Sequence, residues 1–391
     1  MSSLQYNVQN NHPIIPNANE YFLEKKYISI HSGDRDIKKF PDSSEFEIEL
    51  PEDYLNVQSL KLHSWFFPTT NLYVFSKLKN NVSMVFSVTP CVVEVIDASY
   101  NYYNNVYKCL TTEHLFVIEI EDGTYTTTQL SIELTNRFNT AVSVYLYEYF
   151  KENNILDYYY PYSEFIITYN SVSQKMWFGN RSSSFVLHND DTSLHYQHKC
   201  VTKNVLPEYE NWGLPFYLGF QRTTNTSIKI LDEGLRFYYG AVFKNDSGYW
   251  ITQNTALKNA AVYYITSPVK INITGSSCFY MELDKQNYVD ETSPYTLNNF
   301  TRTTNITTGE VNSAFAVIWF DPTNLNYQWY VTHEQPMKTY NPPAERIRRF
   351  SFRLRYHNGL LVDFGNTEFS FTIELTMLRP QSKTGYYISK L

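Results

Sequence analysis

The densest set of ligand-type side chains in this 391-residue chain is His188, Asp190, Asp191, His195, His198 and Cys200. Imidazole, carboxylate and thiolate together can hold zinc, and His195 and His198, three apart, would share one face of a helix. Structural zinc sites use a closed ligand set at defined spacings, backed by hydrogen-bonded partners. Here the residues lie in a polar, loop-like stretch with no repeated spacing. A solvated loop is the expectation, and neither a metal nor any other cofactor is predicted. Asp34-Arg-Asp36 is a second candidate, a carboxylate pair suited to acid–base or metal work. Carboxylates two apart in a turn more often accept backbone amides or pair with the arginine between them.

Arg346, Arg348, Arg349, Arg353 and Arg355 form the one basic run. Phe350, Phe352, Leu354 and Tyr356 alternate with Ser351, Arg353 and Arg355, so this is a strand with one apolar face. Arg349, Arg353 and Arg355 are assigned to its outward face. They could meet an acidic protein surface, lipid head groups or packaged nucleic acid. They could equally be solvated or pair with Glu47-type carboxylates on a neighbouring strand. Of the functional options a protein interface is favoured, since arginine is enriched at interfaces.

No nucleophile elbow, phosphate-binding loop, dinucleotide fingerprint, HExxH motif or kinase signature is present. The chain is not expected to be an enzyme. Cys91, Cys109, Cys200 and Cys278 are far apart and make no CxxC pair, so buried free thiols are expected. The first nineteen residues lack a basic and then an apolar region and do not read as a signal peptide. Asn-x-Ser/Thr triplets such as Asn272-Ile-Thr are then read as products of composition.

The elements that must position these groups are mostly strands. Charged residues are 18% of the chain and the net charge is −7, which argues against a generally basic nucleic-acid binder. Aromatic residues are 17%, with 35 tyrosines and 26 phenylalanines, a composition suited to half-buried pleated surface and to interfaces. Glu45, Glu47 and Glu49 alternate with Phe46, Ile48 and Leu50, the period of a half-buried strand that Pro51 is expected to end. Residues 71–88, the pair Val269–Ile273 and Cys278–Leu283, and the pair Phe350–Tyr356 and Phe369–Leu375 read as hairpins, the last around Asn358-Gly359. Residues 284–312 read as a long polar loop, and 314–320 as a strand buried on both faces. One helix is convincing. Thr126 caps it, Gln129 completes a capping box, and Leu130, Leu134, Phe138 and Ala141/Val142 form one apolar stripe. Strands at Phe165–Tyr169, Met176–Phe178 and Ser184–Leu187 follow it.

Several phrases, taken together, resemble a family. Ser32-Gly-Asp-Arg-Asp36, Phe40-Pro41, Phe46-Glu-Ile-Glu-Leu-Pro51 and Asn56-Val-Gln-Ser-Leu-Lys-Leu62 resemble the opening of virion structural proteins of large icosahedral nucleocytoplasmic DNA viruses. Gly123-Thr-Tyr125, the Leu130/Leu134/Phe138-Asn139 face, Phe165–Tyr169 and Leu218-Gly-Phe220 resemble that family's insert. Phe352–Gly359, Asp363-Phe364 and Phe369–Leu375 resemble its closing strands. The match runs from about 27 to 378, while 221–268 matches nothing recognised.

The resemblance implies a mainly β fold. A jelly-roll β-sandwich is formed by the N- and C-terminal segments (26–89 and 261–391), with a small α+β module inserted at 90–260 and an arm at 1–25. It implies a minor capsid protein of a large DNA virus that contacts the major capsid protein and other minor capsid proteins. A penton role in the same shell stands as the alternative. The location implied is the virion, assembled in the host cytoplasm. The resemblance leaves room for a homo-oligomer and for proximity to an inner membrane, with no specific nucleic acid. Arg349, Arg353 and Arg355, with Tyr21, Phe22 and Leu23 of the arm, are the interface candidates. A different class, a β-sandwich carbohydrate- or receptor-binding module, would use Tyr158–Tyr162 or Tyr249–Asn254 as a sugar platform. A hydrolase would have to use Asp34, Asp36, His195 and His198.

Overall fold

The computed structural model describes residues 6–7, 21–68, 72–90, 94–95, 101–190, 213–230, 251–258, 260–294, 309–320, 328–331 and 336–380. The strands β1 (Tyr6–Asn7), β2 (Tyr21–His31) and β3 (Glu45–Phe67) come first. Then come β4 (Ser83–Pro90), β5 (Glu94–Val95), helix α1 (Asn101–Leu110), β6 (Phe116–Glu119) and helix α2 (Thr127–Glu152). Next are β7 (Phe165–Asn170), β8 (Lys175–Asn180), β9 (Ser183–His188) and the single turn α3 (Leu214–Tyr217). Four short strands follow: β10 (Asn225–Thr226), β11 (Ile228–Lys229), β12 (Leu257–Lys258) and β13 (Tyr263–Thr266). The C-terminal part holds β14 (Cys278–Leu283), β15 (Val289–Pro294), β16 (Gly309–Ala314), β17 (Ala316–Trp319) and β18 (Gln328–Val331). The last two strands are β19 (Lys338–Arg355) and β20 (Ser370–Pro380).

Contacts divide the chain into two units: 1–72 with 276–294 and 309–391, and 73–275 with 295–308. The expected boundaries at 89/90 and 260/261 move to 72/73 and 275/276. The reason is pairing: β4 joins β6 and β9, and β13 joins β8, all inside the insert.

The first unit holds an eight-stranded antiparallel sheet in the order β1-β2-β20-β3-β19-β14-β17, with β18 also on β3, and the separate β15–β16 pair. The two chain ends therefore pair directly. β2 runs beside β20 from Tyr21↔Pro380 to His31↔Ser370, and β3 lies between β20 and β19. The expected C-terminal hairpin is corrected by this. Phe350–Tyr356 and Phe369–Leu375 do not pair, because the N-terminal strand β3 separates them. Tyr21–Lys25 belongs to β2 and not to an arm.

Pro51 does not end its strand. Between Arg349↔Glu49 and Ile347↔Tyr54, β3 carries four residues against the single Arg348, and Pro51 sits in that irregularity, where no ladder amide is asked of it. The sheet is also strongly bent. Phe46 and Phe67 are 21 positions apart on β3, yet both rings touch Phe369, at 6.4 and 5.1 Å. A straight strand would hold them about 70 Å apart. The rolled sheet encloses Phe46, Phe67, Phe279, Phe352, Phe364, Phe369 and Phe371. Phe46 and Leu50 are buried and Ile48 packs against the same core, while Glu45 and Glu49 are exposed, as the alternation requires. The class is mainly β, a rolled antiparallel sandwich in keeping with the jelly-roll expectation, carrying an inserted α+β unit.

Other differences have local causes. Residues 284–312 hold four of the six pairs of the β15–β16 ladder, so the span is not simply a loop. β17 is an edge strand, and Trp319 is 63% exposed, so the span 314–320 is not buried on both faces. Val269–Ile273 makes no hairpin with β14, whose partners are β17 and β19. Residues 72–75 pair through Phe75 with Gly123 and not with β4.

In the second unit α2 lies on its Leu130, Leu134, Phe138, Val142, Leu146 and Phe150 face, all fully buried. Its Thr126–Gln129 capping box forms as read. The β7–β8 hairpin turns at 170–175, where Asn170 Oδ1 accepts the Val172 and Ser173 amides. α1 was not foreseen; its tyrosine and asparagine content disfavours a helix, although Tyr102, Val106, Cys109 and Leu110 fall at helical spacing and are buried.

Candidate interaction surfaces

The basic run sits on β19, and β3 answers it across the ladder. Arg346 meets Asp53 at 2.7 Å, Arg349 meets Glu47 at 3.3 Å, Arg348 meets Glu49 at 4.0 Å, and Arg353 is paired in register with Glu45. Four arginines thus face four carboxylates. The strip is close to neutral and gives phosphate little net attraction. These pairs are exposed, so each is worth under about 1 kcal/mol. Arg349→Ala is expected to shift the urea midpoint by less than that equivalent; a larger loss would mean the ladder organises the sheet.

Arg355 does not belong to this surface. It is 2% exposed, and its guanidinium donates to Glu282 and, at 2.6 Å, to Glu291, itself buried. His357 Nδ1 lies 2.6 Å from the other Glu291 oxygen, and the Tyr280 ring lies 5.1 Å from the guanidinium carbon. The assignment of Arg355 to an outward interface is corrected accordingly. Tyr21 and Leu23 pack on Leu378 of the chain's own β20, and Phe22 is paired with Arg379.

Asp36 spends Oδ1 on the Lys38 amide at 3.0 Å, and Arg35 donates to the Ser32 and Phe40 carbonyls. Asp36 and Arg35 are thus engaged within a turn. His188 shares a 2.8 Å hydrogen bond with Ser87, and burial pushes its pKa down. Asp191, His195, His198 and Cys200 lie outside the described residues, as do Tyr249 and Trp250. Cys109 is buried, with its thiol pushed up to about 11 by burial, and Cys278 is raised for the same reason. Burial thus disfavours the thiolate, the reactive form, at both. Among the described residues no group of three or more His, Cys, Asp or Glu is placed to hold a metal ion, and no helix is long and apolar enough to cross a membrane.

Two features of the second unit were missed or only partly read. Glu164 is buried. Asn254 Nδ2 donates to its Oε1 at 2.7 Å and also reaches the Tyr103 hydroxyl at 3.0 Å, while Oε2 has no hydrogen-bond partner. Burial raises its pKa, more than Arg181, Asn254 and Ser182 lower it. A raised folded-state pKa means stability that is present below the unfolded value and lost as pH rises through the folded one. Glu164→Gln is therefore expected to melt above wild type at pH 7 and to converge with it near pH 4. A gap that widens on acidification would overturn the assignment. Nothing in the sequence around Glu164 signals burial.

The other feature is a row of rings. Tyr147 on α2 meets Tyr159 at 5.3 Å, Tyr159 meets Phe150 at 5.8 Å, Phe150 meets Tyr102 of α1 at 5.9 Å, and Tyr102 meets Tyr160 at 5.8 Å. Both ends of the row, Tyr147 and Tyr160, are exposed, as are Val144, Leu156 and Tyr158 nearby. The sequence flagged 158–162 as aromatic; only the fold adds Tyr147 and Tyr102 to it.

No family model matches the chain, and no curated protein matches it. Among solved structures it is similar to a chain of the Sputnik virophage structure solved by cryo-EM at 3.5 Å, with 11% identity, a TM-score of 0.38, and coverage of 90% of this chain and 98% of that one. It is also similar to the mavirus penton protein, with 8% identity, a TM-score of 0.35, and coverage of 90% and 99%.

Proposed function

We propose that this chain is a structural component of a virion shell, acting through buried surface and not through chemistry. The observation that carries the reading is the convergence of the family-like phrases. Ser32 donates its amide to the Phe369 carbonyl and accepts the Phe369 amide at its hydroxyl; Phe46 is paired with Phe352; Val57–Phe66 runs beside Ser370–Met377. Segments some three hundred residues apart, each bearing part of the resemblance, form one continuous sheet.

In this reading the chain is a minor capsid protein whose neighbours are the major capsid protein and other minor capsid proteins, within particles assembled in the host cytoplasm. Several modest contacts then hold each copy by avidity. Cross-linking mass spectrometry on purified particles tests it. Cross-links from this chain to shell proteins are expected. Links only among five copies of itself at a vertex would make it the penton, and absence from particles would end the proposal.

A further inference from the structure

We propose that the tyrosine ledge at the C-terminal end of α2 is a docking surface for a protein partner that presents arginine or lysine beside an apolar side chain. The inference rests on the reading of the chain as part of a larger assembly and names the chemistry of one neighbour. Tyr147, Leu156, Tyr158 and Tyr160 are 41%, 41%, 45% and 63% exposed, and Val144, one turn before Tyr147, is exposed with them. These rings stand on a fixed base. Tyr159 is half-buried between Tyr147 and Phe150 and donates its hydroxyl to the Ser143 carbonyl at 3.2 Å. The turn that follows α2 is closed by Ile155 N–H to Phe150 O at 2.9 Å and Tyr159 N–H to Leu156 O at 2.9 Å. A surface already ordered loses little entropy on binding, and tyrosine offers large contact area with few rotatable bonds.

Charge selects the partner. The exposed ionic groups around the ledge are Glu148, Lys151, Glu152 and Asp157. Lys151 lies 3.9 Å from Glu148, whereas Glu152 and Asp157 have no ion-pair partner among the described residues. The 26-residue helix α2 also ends here, so its negative pole points at the same place. Two uncompensated carboxylates, a helix C-terminus and tyrosine π-faces all favour a cation, and arginine over tyrosine adds a cation–π contact. The same acidic rim disfavours nucleic acid and anionic lipid. Exposed Val144 and Leu156 call for an apolar side chain on the partner, which a sugar platform would not need.

The test is site-specific photo-cross-linking from position 158 in purified particles, with wild-type chain and with the variant Glu152→Lys/Asp157→Lys. The expected result is a cross-linked peptide of another particle protein with arginine or lysine at the junction. Its yield falls at least tenfold in the charge variant and does not fall in Lys151→Ala, which leaves the rim more acidic, with all three proteins melting alike. Tyr160→Ser, a change at an exposed site, is expected to lower the yield similarly. Particles that contain the chain but give no cross-link, or a yield indifferent to both variants, would overturn the ledge while leaving the virion role intact. Tyr160-dependent binding of the soluble chain on a glycan array would overturn it in favour of a sugar. A wild-type chain absent from particles would remove both readings together.

Discussion

Arg355→Met is expected to lower the unfolding free energy of the first unit by about 3–5 kcal/mol, the usual cost of removing one partner from a buried ion pair. The side chains of Arg355 and Glu291 are each 3% exposed, and Glu282 is 20% exposed. One guanidinium therefore satisfies two carboxylates that have little water to fall back on. Without it, Glu291 keeps His357, which is half-exposed, and the Tyr280 hydroxyl, and Glu282 loses its charge partner. The Tyr280 face that the guanidinium covers is left bare as well. Urea denaturation measures the loss. Adding Glu291→Leu to Arg355→Met is expected to recover part of it, because the orphaned charge, not the missing attraction, is the main cost. A single-variant loss under 1 kcal/mol, or a double variant worse than the sum of its parts, would show that water reaches the network.

Phe138→Ala is expected to cost the second unit a similar amount, about 3–5 kcal/mol, through lost transfer energy and the cavity left behind. Phe138 is fully buried on α2, with its ring 4.3 Å from Phe86, 5.2 Å from Phe165 and 5.8 Å from Phe178. Those three rings belong to β4, β7 and β8, so one side chain joins the helix to both four-stranded sheets of the insert. Neighbours held by separate ladders have little freedom to collapse into the space, which places the cost in the upper range for such changes. Hydrogen exchange is the sharper readout. Protection is expected to fall across α2 and β7–β8 and to hold in β3 and β20. A loss under about 1.5 kcal/mol would mean that the sheets close over the gap.

How much of this was legible in the sequence depends on the range of the interaction. α2 with its Thr126–Gln129 box, the turn of the β7–β8 hairpin and the inward set Phe46, Ile48 and Leu50 all rest on neighbours a few residues apart. That the two chain ends build one sandwich was legible through the resemblance, but the alternation they share does not name which strand pairs with which. The candidate surface was legible only in part: Tyr158–Tyr162 stood out as composition, but Tyr147 and Tyr102 come from two helices whose packing brings them to it.

The sequence by itself determined which side chains of each strand share a face, since a period of two is a property of the backbone. It did not determine what lies beside or over that face. β3 lies between β19 and β20, and the rolled sheet buries Phe46 and Phe67 in one core. Arg353 and Arg355 share one face of β19, yet Arg353 is in solvent and Arg355 is buried. The difference is Glu282 of β14 and Glu291 of β15, which close around Arg355 from distant parts of the chain. Periodicity sets direction, but burial and charge pairing are set by elements that only the tertiary structure brings near.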